Sequence, residues 1–311
     1  LYTKYGGSTR NRMDSSLNIK AFAKINLGLD VIGKRKDGYH EIRTIMQSVG
    51  VFDTLCLKRE KGSGIRLFCD QPSVPSDRTN LAYRAAELMF RKYGLEGGLE
   101  IRLHKRIPAA AGLGGGSSDA AAVMTGIREL YGLKCSFSDL EEPAVLIGAD
   151  VPYCIRGGTV LAEGIGEKMT RLPDMPDCTV VIVKPEANIS TKLIFENLGI
   201  EKLDARSHPD MEKVIRSIYG KDVAGVAENM GNILETVTLK LCPEIGTIKA
   251  AMIDAGAAGA LMSGSGSAVF GIFTDGDNAE KCAASFRAGC GSGLLKQVFT
   301  AKMVRAREEE R

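Results

Sequence analysis

Between Ile19 and Val31 apolar and polar residues alternate. One set of positions carries Ile19, Ala21, Ala23, Ile25, Leu27, Leu29 and Val31; the other carries Lys20, Phe22, Lys24, Asn26, Gly28 and Asp30. A period of two predicts a strand with one face buried and the other in solvent. Asp37-Gly38 is a turn signal, and a second β-like stretch runs from Ile42 to Leu57. Thr79 or Asn80 is placed to cap a helix carrying Leu81, Ala85, Leu88 and Met89. A strand from Leu99 to Leu103 then leads into Pro108 and a glycine-rich loop.

Ser117-Ser118-Asp119 opens a helical run with Ala121, Met124, Ile127 and Tyr131, closed by Gly132. A short helix ends near Gly148, and a hairpin pattern runs from Tyr153 across Gly164-Ile165-Gly166. Arg171 to Asp177, with Pro173 and Pro176, reads as a linker. Beyond it the pattern predicts a strand over Val180 to Val183, helices near 210–235 and 243–255, a strand over Ala268 to Phe273 and a helix around 279–288. Strands and helices mix without regular βαβ alternation, so the fold class is α+β. The linker divides the chain into one domain over 13–172 and another over 178–311.

The chain of 311 residues has room for two domains, and 44% hydrophobic with 25% charged residues is the balance of a globular chain with a core. That excludes disordered and fibrous classes. A net charge of +3 calls for neither nucleic acid nor a membrane surface, so any anion site is local. The eight cysteines form no C-x-x-C pair and only three histidines accompany them, which argues for reduced thiols and against structural zinc. No run of 18 apolar residues exists to span a membrane. Residues 1–12 are polar, lack an apolar run and precede Met13. They read as a segment upstream of the fold, with a trimmed transit peptide as the alternative.

The strongest chemistry lies in Pro108-Ala109-Ala110-Ala111-Gly112-Leu113-Gly114-Gly115-Gly116-Ser117-Ser118-Asp119. Four glycines let the backbone turn tightly and present N–H groups without side chains in the way. The loop runs into a helix N-terminus, where unpaired amides and the helix dipole favour an anion. Ser117 and Ser118 add hydroxyls, and Lys105 and Arg106 lie just upstream. A phosphate cradle is the physical reading; a plain glycine turn with capping serines is the bland one. The Walker pattern, G-x-G-x-x-G and G-x-S-x-G are all absent, which sets aside P-loop, Rossmann and α/β-hydrolase chemistry.

Pro108 to Ala122 resembles the central signature of the GHMP kinases. Two further segments of that family fall in order: Ala23-Lys24-Ile25-Asn26-Leu27, and the late loop Met262-Ser263-Gly264-Ser265-Gly266-Ser267. The resemblance implies a two-domain α+β fold, with an N-terminal ribosomal-protein-S5-like ATP-binding domain and a C-terminal ferredoxin-like domain. It also implies transfer of the ATP γ-phosphoryl group to a small-molecule alcohol. It places Lys24 and Asp150 at the reacting hydroxyl as catalytic residues, with Asp150 the base. ATP falls to Lys105, Pro108, Gly112, Gly114, Gly115, Gly116, Ser117 and Ser118. The chemistry suits these types. A carboxylate accepts the alcohol proton as the phosphoryl group moves, and an ammonium offsets charge on that group. Lys24 and Asn26, two residues apart on a strand, project from one face about 7 Å apart. Alone, Lys24 reads as a solvated strand lysine and Asp150 as a loop carboxylate.

Asp37-Gly38-Tyr39-His40-Glu41-Ile42, Gly148-Ala149-Asp150-Val151-Pro152-Tyr153 and Glu163-Gly164-Ile165-Gly166-Glu167 resemble one branch of the family. That branch phosphorylates the 2-hydroxyl of 4-diphosphocytidyl-2-C-methyl-D-erythritol on the non-mevalonate isoprenoid route. The resemblance gives substrate contacts to Asn26, Tyr39, His40, Asp150, Thr191 and Phe195, with Tyr39 and Phe195 flanking the cytosine and His40 at its polar edge. Magnesium is expected with ATP; Ser118 and Glu167 are candidate ligands and neither is assigned. The branch implies a cytoplasmic enzyme without nucleic-acid or membrane partners. Two competitors stand beside it: another GHMP kinase of the homoserine or mevalonate type, and a non-catalytic nucleotide-binding sensor.

Overall fold

The computed structural model describes residues 16–36, 38, 40–290 and 295–308; the readings of residues 1–12, of the turn at Asp37 and of Tyr39 fall outside them. Strands β1 (Ser16–Lys34) and β2 (His40–Glu60) form one long antiparallel ladder, from Ser16 opposite Lys58 to Lys34 opposite His40. Register shifts at Phe22/Ala23 and Asn26/Gly28 bracket Lys24 and Asn26. Such bulges increase twist and re-aim side chains, so the ladder is bent where the candidate residues sit.

Strand β2 is long enough to serve two partners on its other edge. Its second half pairs with β4 (Gly98–His104), itself parallel to β3 (Gly64–Cys69), and its first half pairs with β5 (Thr159–Gly164). Strand β6 (Lys168–Arg171) closes a hairpin with β5. Helices α1 (Leu81–Tyr93), α2 (Gly115–Leu130), α3 (Phe137–Ala144) and α4 (Val151–Arg156) share one core with this sheet. Ile19, Ala21, Leu55 and Leu57 meet Ala85, Met89, Ala121, Met124 and Ile127 in it. Asn80 caps α1, its side chain accepting from the N–H of Ala82.

The second half of the chain forms an antiparallel sheet of β7 (Thr179–Pro185), β9 (Gly259–Met262), β10 (Val269–Phe273) and β11 (Leu295–Lys302), in the order β11-β7-β10-β9. Its helices are α5 (Thr191–Glu196), α6 (Met211–Tyr219), α7 (Val223–Asn229), α8 (Glu235–Leu241), α9 (Glu244–Asp254) and α10 (Gly276–Ala288). The halves share apolar contacts. Ala23, Ile25, Ile45 and Val49 lie in one cluster with Val180, Ile182, Met211, Val214 and Phe270. Short β8 (Gly231–Asn232) joins β1 in parallel at Gly28 and Leu29.

Several elements differ from the pattern. Strand β1 is not half-exposed: every residue from 23 to 31 is buried, Ala23, Ile25 and Leu27 against the second half of the chain, Lys24 beneath the early glycine loop and Asp30 beside His208. Tyr153 lies in α4 rather than in a hairpin; Pro152 sits in the first turn of that helix and Gly157 ends it, and the hairpin is confined to β5 and β6. The helical stretch near 210–235 breaks at Gly220-Lys221, where Lys221 takes a positive φ, and again at β8. The proline-bearing linker is tied to the core, with Leu172, Met175 and Cys178 buried. Helix α2 begins at Gly115, two residues before the serines. None of the eight cysteines is in a disulfide, and no described helix is long and apolar enough to cross a membrane.

Candidate active site

The buried polar face of β1 supplies the centre. The side chain of Lys24 is only 6% exposed, and its ammonium donates to Asn26 Oδ1 at 2.8 Å and lies 3.6 Å from Asp150 Oδ2. Asn26 is fixed in turn, its Nδ2 donating to Thr44 Oγ1 at 2.8 Å, which donates to the Gly28 carbonyl at 2.7 Å. A buried ammonium needs such partners, since unpaired burial costs several kcal/mol. Asp150 precedes α4 and makes no capping bond there; its carboxylate is 38% exposed and reaches solvent beside Lys24. The site thus pairs a fixed cation with an accessible carboxylate.

Two glycine loops close around this pair. The N–H of Lys24 donates to Leu113 O at 3.0 Å, which ties the strand to the early loop. Gly114 precedes α2 with φ 68, and a Cβ there would lie 2.9 Å from the Lys24 stem. Gly112, at φ +75, approaches the late loop so closely that a Cβ would stand 2.0 Å from Ser263 O. Ser263 Oγ donates to Gly112 O at 2.9 Å, and Ala268 N to Ala111 O at 3.1 Å. Pro108 is buried at the start of the early loop and Gly116 is exposed at its end. Gly115, Gly116 and Ser117 form the first turn of α2, where amides lack intrahelical acceptors. Ser117 Oγ faces Gly148, close to Asp150.

Ser118 is bonded within the fold, its N–H donating to Gly114 O at 2.9 Å and its hydroxyl to Phe22 O at 2.6 Å. Lys105 is also committed: its nearly buried ammonium is held by Asp53 and, at 2.7 Å, by Asp119, and it lies against Gly115. Glu167 serves its own hairpin, accepting from the N–H of Ile165 at 2.6 Å. No group of three or more His, Cys, Asp or Glu among the described residues is arranged to hold a metal ion.

The other candidates gather on a second wall. The rings of His40, at the start of β2, and Phe195, on α5, lie 4.9 Å apart at 36°. Burial, reinforced by Lys34, lowers the His40 pKa, so its imidazole is neutral at pH 7 and offers one donor and one acceptor. Thr191 Oγ1 lies 2.7 Å from Ser265 Oγ of the late loop, so α5 is coupled to that loop. Sequence reasoning missed Lys184. Its buried ammonium donates to Pro185 O, Ala187 O and Asn188 Oδ1, and Ala187 O also accepts from Ser267 Oγ. It orders the segment entering α5, and a lysine at the end of an apolar strand gives no sign of that task.

Residues 80–158 match the GHMP kinases N terminal domain, and residues 210–291 the GHMP kinases C terminal family. A solved homoserine kinase from Cytophaga hutchinsonii is 22% identical, with a TM-score of 0.79 over 96% of this chain and 98% of its own, a likeness of fold alone. A crystal structure of 4-(cytidine 5'-diphospho)-2C-methyl-D-erythritol kinase gives a TM-score of 0.78 at 33% identity, covering 92% of this chain and 99% of that one. A 4-diphosphocytidyl-2-C-methyl-D-erythritol kinase from Lachnospira eligens is 50% identical over 92% of this chain and 97% of its own length. By that identity and coverage, the chain belongs to the 4-diphosphocytidyl-2-C-methyl-D-erythritol kinase family of the GHMP kinases.

Proposed function

We propose that this protein transfers the γ-phosphoryl group of ATP to the 2-hydroxyl of 4-diphosphocytidyl-2-C-methyl-D-erythritol. The observation that carries the reading is the Lys24–Asp150 pair, 3.6 Å apart, with two glycine loops packed around it. The names of the relatives supply the acceptor, and the His40–Phe195 ring pair supports it, since an aromatic face beside a neutral imidazole suits the face and the polar edge of a flat base.

ATP phosphates rest on the free amides of Gly115, Gly116 and Ser117, where the dipole of α2 adds to the attraction. The acceptor hydroxyl sits between Lys24 and Asp150. As the new oxygen–phosphorus bond forms, the O–H bond breaks and Asp150 takes the proton, while ADP leaves with the β–γ bridging oxygen. Lys24 offsets charge on the transferring group, and Asn26 keeps the ammonium from turning away. Magnesium offsets phosphate charge when bound with ATP. Among the described residues no carboxylate cluster is arranged to hold the ion, so phosphate oxygens and water would be its chief ligands.

The test is ADP release with ATP and magnesium, comparing 4-diphosphocytidyl-2-C-methyl-D-erythritol, homoserine, mevalonate and no acceptor. Release with the cytidine compound alone is expected. Release with homoserine or mevalonate instead keeps the mechanism and overturns the acceptor, and silence from a folded, ATP-binding sample favours a sensor.

A further inference from the structure

Beneath the early glycine loop lies a cluster that the transfer reaction does not use. Asp53, on β2, is fully buried. It accepts from the Lys105 ammonium, the N–H of Arg106 and, at 2.8 Å, the N–H of Ile107. Asp119 lies one turn into α2 from Gly115; its Oδ2 accepts from Lys105 at 2.7 Å, and its Oδ1 is buried with no donor. Asp53 and Asp119 thus meet on the one ammonium of Lys105. The cluster touches the loop directly. A Cβ on Gly115 would meet Lys105 Nζ at 3.3 Å and the Ile107 side chain at 3.0 Å.

Two carboxylates and one ammonium, closed off from water, carry one negative charge in excess. Two like charges held on one ammonium cannot both ionise cheaply, and Asp119, whose Oδ1 has no donor, is the carboxyl that keeps a proton. We propose that Asp53, Lys105 and Asp119 are a positioning triad for the phosphate loop, neutral and permissive for ATP while Asp119 keeps its proton, and repelling ATP once that proton passes to solvent. The inference rests on the reading of the loop as the ATP phosphate site.

The direction of titration agrees. Burial pushes the Asp119 carboxyl up, Lys105 pulls it back and Asp53 raises it again, to about 8. Burial lowers the Lys105 ammonium, but Asp119 and Asp53 outweigh it, so the lysine stays charged. Other ionisable groups around the cluster are Cys69 and Asp70 at the end of β3, His104 paired with Asp70, and Arg106 next to Lys105. Burial raises the Cys69 thiol, and Asp70 is held low by the N–H of Lys105. The Asp119 proton is therefore the one that leaves in mild alkali.

Calorimetric titration of the full chain with the β,γ-imido analogue of ATP at pH 7.5 and 9.5 reads the effect without chemistry. One new buried charge near the phosphates weakens binding about tenfold at the higher pH. Asp119→Asn keeps a hydrogen-bonding shape but no titrating proton, so its two affinities agree within about twofold. Cys69→Ser keeps the wild-type drop. A wild-type affinity that is flat with pH, an equal drop in Asp119→Asn, or loss of the drop in Cys69→Ser each overturns the triad. If Asp119→Asn does not fold, Asp119→Ser and the wild-type profile carry the same decision. Absence of analogue binding at pH 7.5 overturns the ATP-site reading and this inference together, whereas binding that ignores pH sinks this inference alone.

Discussion

Among the described residues Asp150 makes no capping bond and pairs with no cation but Lys24, so its carboxylate is left for chemistry rather than for holding α4. Asp150→Asn retains the shape and removes the proton acceptor. Turnover is expected to fall by roughly 10²–10⁴-fold, with ATP affinity within about twofold of wild type. Weakened ATP binding at normal turnover would instead make Asp150 a nucleotide ligand. His40 makes a pH prediction at the same scale. Its pKa is lowered by burial and by Lys34, so the neutral ring persists through neutral pH and is lost only as pH falls below the ordinary value of 6.5. The Michaelis constant for the cytidine substrate should be flat from pH 7 to 8 and rise several-fold by about pH 5.5, because the protonated ring has no acceptor left. A constant that stays flat at low pH, or that does not change in His40→Ala, removes His40 from the substrate wall. Lys24 and Asp150 were legible in the sequence because motifs on either side of them fixed their context. Asp53 was not. It reads as one more polar strand position, and its partners lie more than 50 residues away, at Lys105, Arg106 and Ile107.

At the scale of elements, the early and late glycine loops act as one unit because their backbones touch. Gly112 has both a positive φ and a carbonyl in the place of a Cβ, so Gly112→Ala must push Ser263 away. Gly116 has neither constraint, and a Cβ there meets only Leu81 Cδ1 at 3.5 Å. Gly112→Ala should lower the melting temperature by several degrees and weaken ATP binding at least about tenfold, whereas Gly116→Ala shifts melting by about a degree. Equal effects would mean that the loops do not depend on that contact. The same elements show what pattern reading captures. Alternation located β1 because its apolar face is regular, but it assigned the polar face to solvent. A run of thirteen positions does not reveal that distant chain will cover Lys24, Asn26 and Asp30. Strands β3, β9 and β11 went unread because their side chains do not alternate cleanly; β10 and β7 are buried throughout and gave the stronger signal. Helix α4 was absorbed into a hairpin because its six residues are too few to show a helical period.

For the molecule as a whole, the site exists only where the halves meet, since Lys24 and Asp150 come from the first and the late loop from the second. Three kinds of contact hold that junction. One is the shared core already described. Another is polar, with His208 Nδ1 2.8 Å from Asp30 Oδ1 and Arg43 paired to Glu212 at 2.7 Å. The third is the segment after β11, which returns to the first sheet. Met303 bridges Val49, Val304 N donates to Ser48 O at 2.8 Å, and Arg307 N donates to Arg156 O at 2.8 Å. Gln47 Nε2 also donates to Val304 O, and the Arg307 guanidinium donates to Thr125 Oγ1 and Lys20 O. At about 1 kcal/mol net for each hydrogen bond, the segment contributes several kcal/mol, comparable to the whole margin of a native fold. A chain ending at Lys302 should therefore melt at least about 5 °C lower and lose activity more steeply than stability, because the late loop is no longer held against Lys24. Calorimetry with parallel assays distinguishes the cases. A single transition with unchanged kinetics would show that the core alone keeps the halves in register. A broadened or split transition with weakened ATP binding would show that the returning segment is what makes one site out of two sheets.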